Sequence, residues 1–166
     1  MAAVRILHLH SSFNLGSQES RTVRLMNHFG DQAEHTVLSA VDDAFGAAEA
    51  IDRRVKVTCP KDSAPSLKGR PAIGRYRQLA LYMKKFHLVL TYNWGAIDAV
   101  MAHTLFTRSM GLPPLIHHED GFKDDEVDRL KKRRNWCRKT GNSKSRRRWN
   151  GCAPVPCPCA KAVNFP

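Results

Sequence analysis

A chain of 166 residues holds one domain of ordinary size, and 42% hydrophobic with 25% charged residues is the balance of a folded globular protein. No apolar run nears the roughly 18 residues of a membrane span, and residues 1–8 lack the basic segment and long apolar stretch of a signal peptide. The net charge of +12 is unevenly spread: residues 1–130 hold 16 Lys and Arg against all 15 Asp and Glu, while residues 131–166 hold 11 and no acid. The basic pI therefore belongs to the tail; the expectation is a nearly neutral, cytoplasmic domain, with loose membrane association left open.

Val4–His10 is β-branched and apolar enough for a buried strand. Past a turn at Gly16 and Ser17, the residues Val23, Met26 and Asn27 share one helical face, with Leu25 and Phe29 beside it. Gly30 then stands where a helix end favours left-handed geometry. Residues 35–40 and 55–58 read as short strands, with an Ala-rich helical turn over 44–51 between them. Breakers across residues 60–71 predict a mobile surface loop. Tyr76, Leu79, Ala80 and Met83 recur at i, i+3, i+4, i+7, the stripe of a buried helix face. Leu88–Tyr92 is a compact strand. Ile97, Val100, Met101, Thr104 and Leu105 predict the inner face of another helix, stopped by Gly111 and Pro113-Pro114, and Leu115–His118 forms the last strand.

Strands separated by helices imply right-handed crossovers and a parallel sheet buried on both faces. The predicted fold class is α/β: a single Rossmann-like doubly wound parallel sheet within residues 1–138. A helix starting near Asp124 would carry acids in its first turn and bases in its last. Residues 139–166 form a basic, Pro- and Cys-containing tail with too little apolar surface to offset the entropy of ordering. Cys137, Cys152, Cys157 and Cys159 fit neither a disulfide framework nor the paired spacing of a zinc site, so free thiols and no metal are expected.

In open parallel sheets ligands bind outside the carboxyl ends of the strands, which nominates residues 10–18, 39–43, 93–96 and 117–122. Gly16 lets the backbone pass close to a phosphate, and the helix that follows points free N–H groups at it. The loop lacks both the Gly-Lys-Ser/Thr of a P-loop and the partner glycines of a dinucleotide fingerprint. The competing reading is a plain strand–helix turn with Ser17 as N-cap. His117, His118, Glu119 and Asp120 gather four titratable groups that could supply a general base or hold sugar hydroxyls. Adjacent histidines in a strand point to opposite faces, so both do not readily hold one ion. Tyr92, Asn93, Trp94 and Gly95 set an aromatic platform beside an amide, suited to stacking against a sugar ring; alternatively Trp94 only covers the sheet edge. His8 and His10 read as core or cleft histidines rather than ligands.

The stretches "RILHLHSSFNLGSQESRTVRLMNHF", "LVLTYNWGAIDAVMAH" and "PPLIHHEDGF" resemble the N-terminal domain of glycosyltransferase family 4, retaining enzymes of GT-B fold, over roughly residues 4–138. That resemblance implies two Rossmann-like lobes, the N-terminal one binding a glycan or lipid-linked acceptor and the other a nucleotide-sugar donor, with no cofactor. It implies a donor diphosphate-facing loop at Gly16, Ser17 and Glu19, where Ser17 replaces the second glycine of the family's Gly-Gly-x-Glu. It also implies a catalytic group at His118 or Asp120 and acceptor binding by Asn93, Trp94 and Glu119.

No donor-binding half follows residue 138, and the loss of acids there reads as translation out of frame. The expectation is a truncated or frameshifted glycosyltransferase, native to about Arg138, inactive alone and without a specific protein partner. The alternative is a non-enzymatic module whose basic tail contacts nucleic acid or anionic membrane without sequence specificity.

Overall fold

The computed structural model describes residues 3–60 and 63–118. The helix expected from Asp124, the basic tail, Glu119 and Asp120 lie outside the described residues.

Five strands and three α-helices alternate: β1 (Val4–His10), α1 (Ser17–Phe29), β2 (Ala33–Ser39), β3 (Lys56–Thr58), α2 (Ile73–Met83), β4 (Leu88–Tyr92), α3 (Ile97–Met110) and β5 (Leu115–His118). All strand pairs are parallel, in the order β3-β2-β1-β4-β5. This is the α/β doubly wound sheet predicted above. β1 sits at the centre, and alternation divides its side chains between two buried faces. Leu7 and Leu9 join Leu38, Val89 and the inner residues of α2 and α3. On the opposite face Ile6 joins Leu90 and Tyr92, and Val37 packs with Phe13, Val23 and Met26 beneath α1.

α2 buries the predicted stripe of Tyr76, Leu79, Ala80 and Met83. Gly30 and Gly111 end α1 and α3 with φ of +56° and +61°, a backbone region that favours glycine. On α1, Asn27 is not a core residue as its spacing suggested. Its amide donates to the Ala50 carbonyl (3.2 Å) and accepts from the Asp52 N–H (2.8 Å), tying α1 to the short 3-10 helix Gly46–Ala50.

Two expectations are corrected by packing. The buried face of α3 is Ile97, Asp98, Ala99 and Ala102, and Leu105 is 42% exposed. The small Ala99 and Ala102 let α3 approach α2, and Asp98 turns inward because α2 satisfies it. Arg75 Nη1 donates to Asp98 Oδ2 at 2.7 Å and the Tyr76 hydroxyl to Asp98 Oδ1 at 3.3 Å. Arg75 also donates to the carbonyls of Ser66 and Leu67. Leu67 is buried in the core between sheet and α2, so the segment before α2 is pinned rather than the free surface loop its breakers predict.

Among the described residues no helix is long and apolar enough to cross a membrane.

Removing one member of a buried ion pair leaves the other charge desolvated and unmatched. Asp98→Ala is expected to lower unfolding free energy in urea by about 3 kcal/mol or more. Replacing both partners, Arg75→Met with Asp98→Leu, should recover most of that loss.

Candidate functional site at the carboxyl edge of the sheet

β1 and β4 are neighbours in the sheet, yet the chain leaves β1 toward α1 on one face and leaves β4 toward α3 on the other. Such a reversal opens a crevice at the strand ends, where open α/β sheets bind ligands. The crevice is closely stitched. Ser11, just past β1, accepts a hydrogen bond on Oγ from the Gly95 N–H at 3.0 Å. A Cβ at Gly95 would overlap the Ser11 side chain and come within 2.6 Å of its Cα, so this approach dictates glycine. Phe13 N–H donates to the Ala44 carbonyl and Ala47 N–H to the Phe13 carbonyl, both at 2.9 Å, binding the first loop to the connection after β2. Asn14 Oδ1 accepts from the Gly46 N–H at 3.2 Å. Asn93 N–H donates to the His118 carbonyl at 2.8 Å, joining the ends of β4 and β5. The loops nominated from sequence therefore converge, as far as the described residues reach.

Asn93 has φ +53° and ψ −170°, a conformation that only glycine adopts without strain. Trp94, half-buried, follows it in a 3-10 turn over Trp94–Ala96.

α1 opens at Gly16, in extended backbone, and no side chain caps it; Ser17 is the exposed first helical residue and not the N-cap. Glu19 in the first turn folds back instead. Its Oε2 would lie 2.6 Å from a Cβ on Gly16, and its Oε1 is 3.6 Å from His10 Nδ1. A carboxylate at this end is favoured by the helix dipole and stands where an external anion would bind.

Below the crevice lies a polar layer that spacing alone did not reveal. His8, His10 and His35 are buried, on the same face as Tyr92. The rings of His10 and Tyr92 stack at 4.0 Å, and those of Tyr92 and His118 at 4.9 Å, each pair 12° from parallel. His8 Nε2 meets His35 Nδ1 at 2.9 Å, and His8 Nδ1 meets the Tyr92 hydroxyl at 3.3 Å. A neutral imidazole donates through one nitrogen only, so this chain of bonds runs in a single direction. Among the described residues neither ring nitrogen of His10 has a hydrogen-bond partner. Burial pushes His10 down to about 3, with His118 adding to the shift. His8 is held well below the usual histidine value by burial first and by His35, His10 and His118 after it, and burial also lowers His35.

His117 and His118 diverge, as strand alternation requires. His117 Nδ1 is 2.9 Å from Thr91 Oγ1 on the α2–α3 side, whereas His118 joins the aromatic stack on the α1 side. Of the residues picked from sequence, Gly16, Ser17, Glu19, Asn93, Trp94 and His118 come together at this edge; Glu119 and Asp120 lie outside the described residues. His35 was missed, and Tyr92 was read only as part of the aromatic platform; strand alternation puts His8 and His10 on one face, but the register that brings His35 beside them is seen only in the structure. Among the described residues no group of three metal-ligating side chains could hold an ion. No family model matches the chain, and no curated protein matches it.

Two outcomes follow from this geometry. Gly95→Ala forces the ends of β1 and β4 apart and should cost about 1–3 kcal/mol in unfolding free energy. The three histidines stay neutral in the fold while an unfolded chain protonates them below about pH 6.5. Stability is thus fully present above that pH and lost as pH falls, by about 1.4 kcal/mol per pH unit per histidine until the folded values are reached. Urea midpoints from pH 8 to pH 5 would show this slope, and His10→Phe should reduce it; an unchanged midpoint would contradict it.

Proposed function

We propose that the described domain is the acceptor-side lobe of a retaining glycosyltransferase, acting with a donor-binding lobe held elsewhere. One observation carries the reading: the uncapped start of α1, the Asn93–Trp94 turn and His118 meet at one crevice where the chain reverses across the sheet. Sugar transfer from a nucleotide diphosphate needs charge stabilisation at the leaving diphosphate and a positioned acceptor.

In this reading the N–H groups at Ser17 and Gln18 face the diphosphate once the Glu19 carboxylate swings away. Trp94 offers its ring to an acceptor sugar, and the strained Asn93 holds its side chain amide beside it. His118, locked against Tyr92, presents an imidazole toward the transferring sugar. Glu119 and Asp120 follow it directly in the chain.

The alternative is a binding module whose basic tail holds nucleic acid or anionic membrane. The specific observation behind it is the 11 Lys and Arg, without a single acid, in residues 131–166.

Ligand titrations separate the two. Glu19→Gln removes the resident carboxylate and should tighten pyrophosphate binding by about 5-fold, the scale of one charge at a helix N-terminus. Trp94→Ala should weaken oligosaccharide binding, read by saturation-transfer NMR, by about 10-fold. If neither pyrophosphate nor any of a panel of oligosaccharides binds the intact chain, the glycosyltransferase reading is lost.

A further inference from the structure

The near-neutral balance of the domain conceals a division of charge between its two halves. Residues 3–60, which include α1 and β3, carry six Lys and Arg against seven Asp and Glu. Residues 63–118, which include α2 and α3, carry seven against one. That one acid is Asp98, buried and bound to Arg75. Within residues 63–118, which include α2, α3 and the segments around them, cations are therefore exposed and no carboxylate is; the same face of the sheet carries the partly exposed Glu34 of β2, paired with Lys56 at 3.6 Å.

The exposed cations gather on α2 and the segments that flank it. The stripe Tyr76, Leu79, Ala80 and Met83 faces the core, which turns Arg77 and Leu81 outward, and Lys84 and Lys85 are exposed in the turn just past the helix end. Lys68 and Arg70 are exposed on the segment that leads into the helix. Two large apolar side chains stand among these charges, Ile73 at 68% exposure and Leu81 at 44%. Beside Leu81 is an open depression of about 340 Å³ lined by Pro65, Gln78, Leu81, Tyr82 and Lys85. The Lys85 ammonium sits 5.0 Å from the centre of the Tyr82 ring.

We propose that this outer face of α2 docks on an anionic lipid surface. Exposed cations without acids are attracted to a negatively charged leaflet, and interleaved apolar side chains gain by entering the headgroup boundary. Ile73 and Leu81 favour a lipid surface over nucleic acid, because phosphate contacts give no reason to expose them. The proposal stands apart from the glycosyltransferase reading and places membrane affinity in the folded domain rather than in the tail.

The test uses the full chain and phosphatidylcholine vesicles with and without phosphatidylserine. Each cation near such a surface contributes about 5-fold in affinity, so Arg77→Glu/Lys84→Glu/Lys85→Glu should lower partitioning to the anionic vesicles by about 100-fold. Ile73→Ser/Leu81→Ser should lower it by about 10-fold with little change in its salt dependence. All five positions are solvent-exposed, so unfolding midpoints should stay at the wild-type value. The control is Arg24→Glu/Arg53→Glu/Arg54→Glu, an equal charge change in the other half of the domain, expected to leave partitioning far less affected. Equal losses from the two charge triples would assign binding to net charge or to the tail and overturn the proposal. So would an apolar pair without effect, combined with equal losses of duplex DNA and vesicle binding in the α2 triple.

Discussion

β1 is flanked by strands on both edges and covered on both faces, and most of the molecule follows from that enclosure. From Ile6 to His10 this strand has no water to solvate a charge, so each polar group there must stay neutral or find a partner. His8 meets both conditions, bonded on one side to His35 and on the other to Tyr92. His10 meets only the first: it stacks on Tyr92 and tilts against Phe13, and among the described residues neither ring nitrogen has a hydrogen bond, the Glu19 carboxylate standing 3.6 Å away. The enclosure that stabilises the sheet therefore also places an unsatisfied ring directly beneath the start of α1.

The same strand organises the crevice. Because β1 and β4 are hydrogen-bonded neighbours whose exits diverge, their loops begin side by side, and only a glycine lets Gly95 lie against Ser11. Asn93 keeps an unfavourable backbone geometry while its N–H is spent on the end of β5. Strain held in place by surrounding hydrogen bonds is typical of positions that face ligands, and here it adjoins the half-buried Trp94. Glu19 completes the arrangement by offering the helix dipole an internal anion.

Much of this was legible in the residue pattern, because burial on both faces leaves short apolar strands that stand out between helices. The ends of β1, β4 and β5 came from that signal, as did the stripe of α2 and the glycine stops of α1 and α3. The pattern failed where polar groups behave as core. The face predicted for α3 omits Asp98 and reaches Leu105 instead; the pairing of Asp98 with Arg75 and Tyr76 explains its burial. Leu67 was hidden among breakers, and Asn27 among apolar neighbours. Ser17 looked like a cap by residue type, whereas Gly16 takes that position and Glu19 supplies the charge.

The pairing of β1 with β4 also sets the order in which the molecule can assemble. Ser11 and Gly95 are 84 residues apart, and every bond between these two strands spans a similar loop. β1 and β2 can join early, being separated by one helix, but the other edge of β1 stays unpaired until β4 is made. Contacts of such separation carry the full entropy of loop closure before they yield any stabilisation, which slows folding. During synthesis, the strand that ends up most enclosed is therefore the one that waits longest with an open edge.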